Sequence, residues 1–320
     1  MKTLLRALAL ACAAVLPLSA LAQTYPNKPV RILVPYPPGG ASDVTARILA
    51  DKLSKKWGSP VFVENKAGVN GIIGTEVIAN AEPDGSTIGL VASSHVTNHA
   101  LYKKVPYAMS DFVPVTITAQ VQLGLVTNPN LPVKDVRELI AYLKANPGKV
   151  NVATSGRGSN PELWALAFEK MTGTDMQDVP YKGSGAAHPE LLGGQTQVMF
   201  DAVAAVMPHV KSGKLRLLAV GGEKRSPFLP DTPTMQEAGV PGYVNSSWGA
   251  IIAPAKTPKA IIDKLNKDIV EILNEPDTKE RLAGLSAEVV ANSQPEAVAY
   301  VDKETARLTK LIKDVGIQPE

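Results

Sequence analysis

The stretch that decides the fold is Pro35-Tyr36-Pro37-Pro38-Gly39-Gly40-Ala41-Ser42-Asp43. It follows the apolar run Val30-Arg31-Ile32-Leu33-Val34, which is typical of a largely buried strand. After it, apolar side chains recur at roughly helical spacing, at Val44, Ile48, Leu49, Leu53 and Trp57. We expect Ser42 or Asp43 to cap that helix. The sequence here predicts a strand, a loop without bulky side chains at its two glycines, and a helix N-terminus.

The start of this predicted helix is a candidate site for an anion. Backbone N–H groups in the first turn of a helix have no partner within the helix, and the helix dipole favours negative charge there. A carboxylate or a phosphate fits such a position. An ordinary turn between a strand and a helix, with no ligand, explains this stretch equally well when it is taken alone.

The first 22 residues have the pattern of a secretory signal peptide. Two basic residues precede an apolar stretch over residues 7–16, and Ala20-Leu21-Ala22 predicts cleavage after Ala22. The only cysteine, Cys12, lies inside this segment, and the residues before it match a lipidation signal poorly. No later apolar run reaches the ~18 residues that span a bilayer. We therefore expect an exported chain without disulfides, stabilised by its core alone.

Composition excludes two classes of partner. The 320 residues include 33 Lys+Arg and 30 Asp+Glu. This balance argues against nucleic acid as the main partner and against electrostatic docking on an anionic membrane. The length of the mature chain, about 300 residues, fits two domains better than one.

The order of elements predicts two α/β units. Strands and helices alternate at first, which predicts a parallel, doubly wound sheet. The β-rich segment over residues 113–126 follows, and the alternation then restarts. A strand over residues 150–154 leads into Ser155-Gly156-Arg157-Gly158-Ser159-Asn160-Pro161, where Asn160 as cap and Pro161 at the first helical position predict a helix start. Two loops of the same form, in separate domains, suggest one ligand held between them.

Other polar residues follow predicted strands and could complete this site. Ser93 and Ser94 follow the third strand, Tyr181 begins a glycine-containing loop, and Asp201 ends the run Val198-Met199-Phe200. Each also has a structural explanation, the serines as helix caps and Asp201 as a strand-end carboxylate beside a helix.

The sequence lacks the motifs of the common enzyme classes. Gly183-Ser184-Gly185 does not have the spacing of a nucleophile elbow. Gly156-Arg157-Gly158 is not completed to a dinucleotide motif, because Pro161 occupies the last place. His95 and His99 are four residues apart and could share a metal on a helix, but no Glu or Cys stands beside them. We predict no enzyme activity, no cofactor and no metal.

Several short motifs run in order across essentially the whole mature chain. They are Tyr25-Pro26-Asn27-Lys28-Pro29-Val30, Val34-Pro35-Tyr36-Pro37-Pro38-Gly39-Gly40, Glu64-Asn65-Lys66-Ala67-Gly68, Ala145-Asn146-Pro147-Gly148-Lys149, Pro180-Tyr181-Lys182-Gly183-Ser184-Gly185, Leu191-Leu192-Gly193-Gly194-Gln195 and Leu229-Pro230-Asp231-Thr232-Pro233-Thr234. Together they resemble the Bug family of periplasmic solute receptors, the substrate-binding components of tripartite tricarboxylate transporters.

The resemblance implies an α/β, two-lobed type II periplasmic binding-protein fold with the ligand cleft between the lobes. Lobe 1 would comprise residues 23–122 and 248–320, and lobe 2 residues 123–247, with crossings near residues 120–127 and 245–253. The protein would be a periplasmic monomer that binds a small organic carboxylate and delivers it to the membrane permease of such a transporter, with no cofactor and no nucleic acid.

The resemblance also implies a site. The ligand carboxylate would be held by backbone and small polar groups of residues 36–42 and 154–159, with bridging waters, and Asp201 stands where members that bind amino acids contact the amino group. The predicted ligand-binding residues are Tyr36, Pro38, Gly39, Gly40, Ala41, Ser42, Ser93, Ser94, Thr154, Ser155, Arg157, Ser159, Tyr181 and Asp201.

Three residues depart from the family pattern. Arg157 stands where a small residue is usual, Glu162 where a histidine often follows, and His188 where a small or aliphatic residue is usual. Arg157 could add a bidentate carboxylate contact, but we favour a solvated loop charge. For His188 we favour a surface role over one facing the cleft.

The ligand and the fate of the bound complex stay open at this point. A dicarboxylate, a tricarboxylate, an amino acid and an aromatic acid are all compatible with the sequence. A receptor that signals to a sensor protein would share the ligand-binding step. An exported α/β hydrolase that uses Ser155 or Ser184 is the remaining alternative.

Overall fold

The computed structural model describes residues 25–156 and 159–319. The predicted signal peptide and its cleavage site lie outside these residues, and so does Arg157. None of the helices in the described ranges has the length and apolar content needed to cross a bilayer.

The first part of the chain forms a parallel sheet with helices between its strands, as predicted. The central strand pairs in parallel with both of its neighbours, and four of its five residues are fully buried. The elements in chain order are β1 (Val30–Val34), α1 (Ala41–Trp57), β2 (Val61–Asn65), α2 (Ile72–Ala79), β3 (Thr87–Ala92) and α3 (Ser94–Leu101).

A single long strand, β4 (Phe112–Thr127), leads from this sheet into a second one. The second sheet and its helices follow as α4 (Val136–Ala145), β5 (Asn151–Thr154), α5 (Asn160–Thr172), β6 (Gln177–Pro180), α6 (Ser184–Gly193), β7 (Val198–Ala202), α7 (Val203–Lys211) and β8 (Arg216–Val220). In it β5 pairs in parallel with β6 and β7, whereas β7 and β8 pair antiparallel with the end of β4.

The rest of the chain returns to the first sheet. Strand β9 (Ser246–Pro254) inserts between β3 and β4, antiparallel to both. The remaining elements are α8 (Lys259–Asn274), α9 (Pro276–Ala283), β10 (Ala287–Val289) and α10 (Gln294–Asp314). Helix α8 packs on α1 with Leu265 and Ile269 in its core, and α10 packs on α3 and β4. These last helices thus pack on the first α/β unit.

Strand β4 changes partners at one point. Gln122 pairs with Ser246 of β9, whereas Leu123 pairs with Ala202 of β7. At this point the Leu123 N–H donates to the carbonyl of Asn245 (3.3 Å), so the two chain segments pass between the sheets side by side. We call the two α/β units lobe 1 and lobe 2 from here on.

Helix α10 of lobe 1 also contacts residues of lobe 2. Glu304 accepts hydrogen bonds from the indole of buried Trp248 (3.2 Å) and from two nitrogens of Arg307 (2.7 and 2.9 Å). Arg307 also donates to the carbonyl of Val244 (3.1 Å) and lies 5.6 Å from the ring of Trp164 on α5. This contact, which we call the α10 clasp, ties three segments of the chain together.

Candidate functional site

The predicted ligand residues gather at the carboxyl ends of parallel strands. In lobe 1, residues 35–40, which we call the first loop, follow β1, and Ser93 follows β3. In lobe 2, residues 155–159, the second loop, follow β5, while Tyr181 follows β6 and Asp201 lies near the end of β7. Open α/β sheets bind ligands at this edge of their strands, so the topology brings the candidate residues of each lobe to one edge.

Helix α1 begins without a capping side chain. Its N-cap is Gly40, in an extended conformation (φ −76°, ψ 169°). The prediction that Ser42 or Asp43 caps this helix is therefore wrong, because both lie inside its first turn. Since glycine has no side chain to offer, the first-turn N–H groups are not covered by the cap residue. The exposed first loop thus presents a helix N-terminus that can accept an anion.

Asp43 shapes the first loop from within the helix. Its buried carboxylate accepts hydrogen bonds from the Gly39 N–H (2.9 Å), Arg47 (3.0 Å) and Asn65 (2.9 Å). Burial alone would raise the pKa of Asp43, but the hydrogen bonds from Arg47, Gly39 and Asn65 outweigh it and lower the pKa below its usual value. Gly39 has φ +90°, a left-handed conformation that other residues rarely adopt. Its N–H is engaged by Asp43 rather than exposed to a ligand.

A small cavity lies under the first turn of α1. It has a volume of about 50 Å³, enough for more than one water-sized group. It is bounded by Ala41 and Ser42 of α1, by Thr118 of β4, and by Ser247 of β9. No charged side chain is among its described lining residues. The cavity therefore offers hydroxyl and backbone dipoles around a helix N-terminus.

Tyr36 connects the first loop to the start of α3. Its hydroxyl accepts the N–H of Ala92 (2.8 Å) and lies 2.8 Å from the hydroxyl of Ser94. Burial raises the pKa of Tyr36 to about 12, so the phenol stays protonated at neutral pH. Two of the predicted ligand-binding residues, Tyr36 and Ser94, are thus in direct contact.

Ser93 lies where the two lobes meet. It is buried, with its hydroxyl 3.1 Å from that of Ser247 and 3.4 Å from the side-chain nitrogen of Asn160 on α5. The prediction that Asn160 caps α5 is wrong. Ser159 is the cap, accepting the N–H of Glu162 (3.4 Å), and Pro161 is the second helical residue rather than the first. Asn160 is thereby free to contact lobe 1, a role that the capping pattern concealed.

The second loop rests on the loop that follows β6. The Tyr181 N–H donates to the carbonyl of buried Thr154 (3.0 Å), and the Gly183 N–H donates to that of Ser155 (3.3 Å). Gly156 has φ +106°, and a Cβ there would lie 3.1 Å from the Tyr181 carbonyl, so only glycine fits. Half-buried Tyr181 thus supports the second loop through its backbone.

A polar network extends from the second loop into lobe 2. The hydroxyl of Ser155 lies 2.9 Å from that of Ser184, which donates to Oδ1 of Asp201 (2.9 Å). The same oxygen accepts the N–H of Ala202 (2.8 Å), and Nε2 of His188 lies 2.7 Å from Oδ2. We call these contacts the Asp201 network. Asp201 is only 4% exposed.

The surface role that we favoured for His188 is wrong. The imidazole is largely buried and lies between Asp201 and His209, whose ring centroid is 5.7 Å away. Ser184 and His188 are four residues apart on α6, so both face the same neighbour. That spacing is the signal in the sequence that could have located His188.

The network does not have the geometry of a hydrolase. A serine nucleophile needs a histidine within hydrogen-bonding distance, and the histidine in turn needs a carboxylate. Here the carboxylate of Asp201 lies between Ser184 and His188. Across residues 25–156 and 159–319, no serine is hydrogen-bonded to a histidine ring.

Of the two histidines on α3, His95 belongs to the core, whereas His99 is exposed. His95 is buried, stacks on Tyr107 (6.0 Å between ring centroids) and meets Phe112 edge-on (4.9 Å). Burial, and to a lesser extent the neighbouring His99, lowers the pKa of His95 to about 3. Among the described residues, no group of three or more metal-ligating side chains could hold an ion.

Comparison with known proteins agrees with this arrangement. The model of the family described as tripartite tricarboxylate transporter family receptor (TctC) matches residues 45–317. Protein BugT of Bordetella pertussis (strain Tohama I) is 39% identical over 298 residues, which cover 92% of this chain and 91% of BugT.

Two similar solved structures contain dicarboxylates. R. palustris Rpa4515 with adipate has a TM-score of 0.83 and 33% identity, covering 92% of this chain and 100% of that one. MatC (Rpa3494) from Rhodopseudomonas palustris with bound malate has a TM-score of 0.77 and 30% identity, covering 90% and 100%. The two-lobed periplasmic binding-protein fold is thereby confirmed. The chain belongs to the family of tripartite tricarboxylate transporter receptors, whose members are periplasmic solute-binding proteins.

Proposed function

We propose that this protein captures a small organic carboxylate between its lobes and delivers it to the permease of a tripartite tricarboxylate transporter. The observation that carries the proposal is the N-terminus of α1, which has no capping side chain and adjoins a cavity whose lining combines apolar side chains with the hydroxyls of serines and threonines. The adipate and malate bound by the similar structures support the same ligand class.

The ligand carboxylate is held by neutral dipoles at the first loop. Gly40 leaves the first-turn N–H groups of α1 open, and the helix dipole favours an anion there. Ser42 and Ser247 line the adjoining cavity, which has room for a bridging water. Carboxylate binding at this position needs no salt bridge to the ligand.

Tyr36 holds Ser94 beside the first loop. Its hydroxyl accepts the Ala92 N–H and lies 2.8 Å from the Ser94 hydroxyl, and either hydroxyl can be the donor of that contact. When Tyr36 donates, the Ser94 proton is available for a ligand oxygen. The other residues proposed to form the ligand site are Pro38, Gly39, Ala41, Ser93, Thr154, Ser155, Arg157, Ser159 and Tyr181, with Asp201 behind Ser184.

Closure of the cleft completes the site. The contact between Asn160 of lobe 2 and Ser93 of lobe 1 is a direct link across it. A ligand that touches both loops stabilises the closed form by its greater affinity for that form. The protein acts as a periplasmic monomer after cleavage behind Ala22, with lobe 1 formed by residues 23–122 and 248–320 and lobe 2 by residues 123–247.

A thermal-shift screen tests the ligand class. The mature protein, first refolded to remove any co-purified ligand, is melted with organic acids, amino acids and aromatic acids in turn. A ligand at about 100 times its Kd stabilises the folded state by ~2.7 kcal/mol, so a hit raises the Tm by several degrees. A shift with a carboxylate class is expected, whereas no shift with any carboxylate would contradict the proposal. Loss of uptake of that ligand in a deletion strain tests delivery to the permease.

A further inference from the structure

We infer that His188 determines the ligand class by engaging Asp201, so that the site prefers acids without an ammonium group to the corresponding amino acids. This inference rests on the proposed function, because it concerns the same cleft. Beyond that function, it assigns to His188 the discrimination against amino acids, through its contact with Asp201.

Asp201 is already hydrogen-bonded at both of its carboxylate oxygens. An ionised carboxylate has about four acceptor positions on its two oxygens. Ser184 and the Ala202 N–H engage Oδ1, and His188 engages Oδ2 at 2.7 Å. With three donors in place and the side chain buried, Asp201 has little acceptor capacity left for a ligand.

Asp201 lies behind the loop that closes on the ligand. Ser155 belongs to the second loop, and its hydroxyl contacts Ser184, which contacts Asp201. Asp201 is therefore two hydrogen bonds away from the loop that closes on the ligand. A charge at this depth acts on a bound ligand because partly buried charges are screened less than exposed ones.

The imidazole of His188 changes what Asp201 presents to a ligand. Without His188, Oδ2 of Asp201 would be a buried, unpaired anionic acceptor, which attracts an ammonium group and repels a second carboxylate. With His188 in place, an ammonium group finds no free acceptor there and loses its hydration without compensation. Specificity is such a difference between two affinities, and an unfavourable contact can create it.

Matched pairs of probes test the inference. In each pair the second compound carries an amino group where the first carries a hydroxyl or a hydrogen. The pairs are malate and aspartate, adipate and 2-aminoadipate, and 3-phenylpropionate and phenylalanine. Calorimetry gives Kd for the mature wild-type protein and for three variants, His188→Ala, His188→Gln and His209→Ala. His209 is the matched control, because its ring contacts that of His188 while its hydrogen-bonding partners do not include Asp201 in the described chain.

The quantity compared within each pair is the Kd of the amino acid divided by the Kd of the acid. The wild type binds the acid at least about tenfold tighter than the amino acid, a difference of ~1.4 kcal/mol. His188→Ala lowers this ratio about tenfold or more, His188→Gln restores most of it because its amide N–H can still donate to Asp201, and His209→Ala leaves it unchanged. Melting curves of the ligand-free variants show that each is folded.

Some outcomes would overturn the inference on His188 alone, and others would overturn the proposed function as well. If the wild type prefers the amino acid, or if His188→Ala and His188→Gln both keep the wild-type ratio, the inference on His188 is overturned while the carboxylate receptor stands. If His188→Ala does not fold, His188→Leu takes its place, because leucine fills much of the space of the ring but cannot donate to Asp201, and it is expected to lower the ratio in the same way. If the wild type binds neither member of any pair, the proposed function fails and the inference fails with it.

Discussion

Gly40 combines open space with an ordinary backbone conformation. A Cβ at this position would have only the Pro37 carbonyl oxygen nearby, at 3.9 Å, and φ is −76°. A side chain can therefore be added without strain. The neighbouring Gly39, with φ +90°, does not permit this.

Replacing Gly40 with phenylalanine is expected to abolish carboxylate binding without unfolding the protein. The ring would cover the first-turn N–H groups of α1, while the Tm stays within a few degrees because the backbone accepts the change. Calorimetry and melting curves measure both effects, with Gly40→Ala as the control that keeps most of the opening. Wild-type affinity in Gly40→Phe would remove the first loop from the site.

At the scale of elements, the sequence located the strand, loop and helix units but not their caps. Several short polar residues stand at each helix start, and all are compatible with capping by type. The conformation of the incoming chain makes the choice, which gives Gly40 for α1 and Ser159 for α5. Likewise Asp201 was predicted at the site, whereas its pairing with His188 depends on how α6 packs beside β7, which periodicity does not show.

Helix α5 makes the link across the cleft, so its first residue is the place to test closure. Asn160→Ala removes the contact to Ser93 and is expected to weaken ligand binding about 2- to 10-fold, the effect of one neutral hydrogen bond. Asn274→Ala is the matched control, because that side chain bonds within its own helix α8.

Small-angle scattering with and without ligand then reports closure directly. We expect the ligand to reduce the radius of gyration less in Asn160→Ala than in the control. Equal compaction and equal affinity in the two variants would show that closure does not depend on this contact.

At the scale of the whole molecule, the α10 clasp joins the lobes. Arg307→Ala leaves the buried Glu304 carboxylate with Trp248 as its remaining donor among the contacts of the clasp. We expect a loss of about 2 kcal/mol in the free energy of unfolding, since a buried charge loses hydrogen bonds. Urea denaturation measures it.

Lys310→Ala is the control for the clasp, because that lysine pairs with Asp314 on the exposed face of the same helix. Exposed pairs of this kind contribute ~0.3–0.5 kcal/mol, so its midpoint should hardly move. Equal losses in the two variants would mean that the clasp adds nothing beyond a surface ion pair.

The two-lobed plan could be predicted because motifs along the chain resemble one family and the crossings fall in β-rich segments. The sequence did not show that β4 serves both sheets as one strand, since nothing in its residues marks the change of partner between Gln122 and Leu123. That change depends on strands far away in sequence. Nor did it show the clasp, in which Val244 and Arg307 meet across 63 positions of the chain.

The position of β9 also determines the order in which the two lobes can be completed during synthesis and export. It lies between β3 and β4, so these two strands of lobe 1 have no bridge between them until residue 254 has been made and exported. Lobe 2, contained between the two crossings, has all its strands well before that. A chain that emerges N-terminus first would thus finish its second lobe before its first, and β3 would stay unpaired on one side until the chain from residue 93 to residue 254 had followed it.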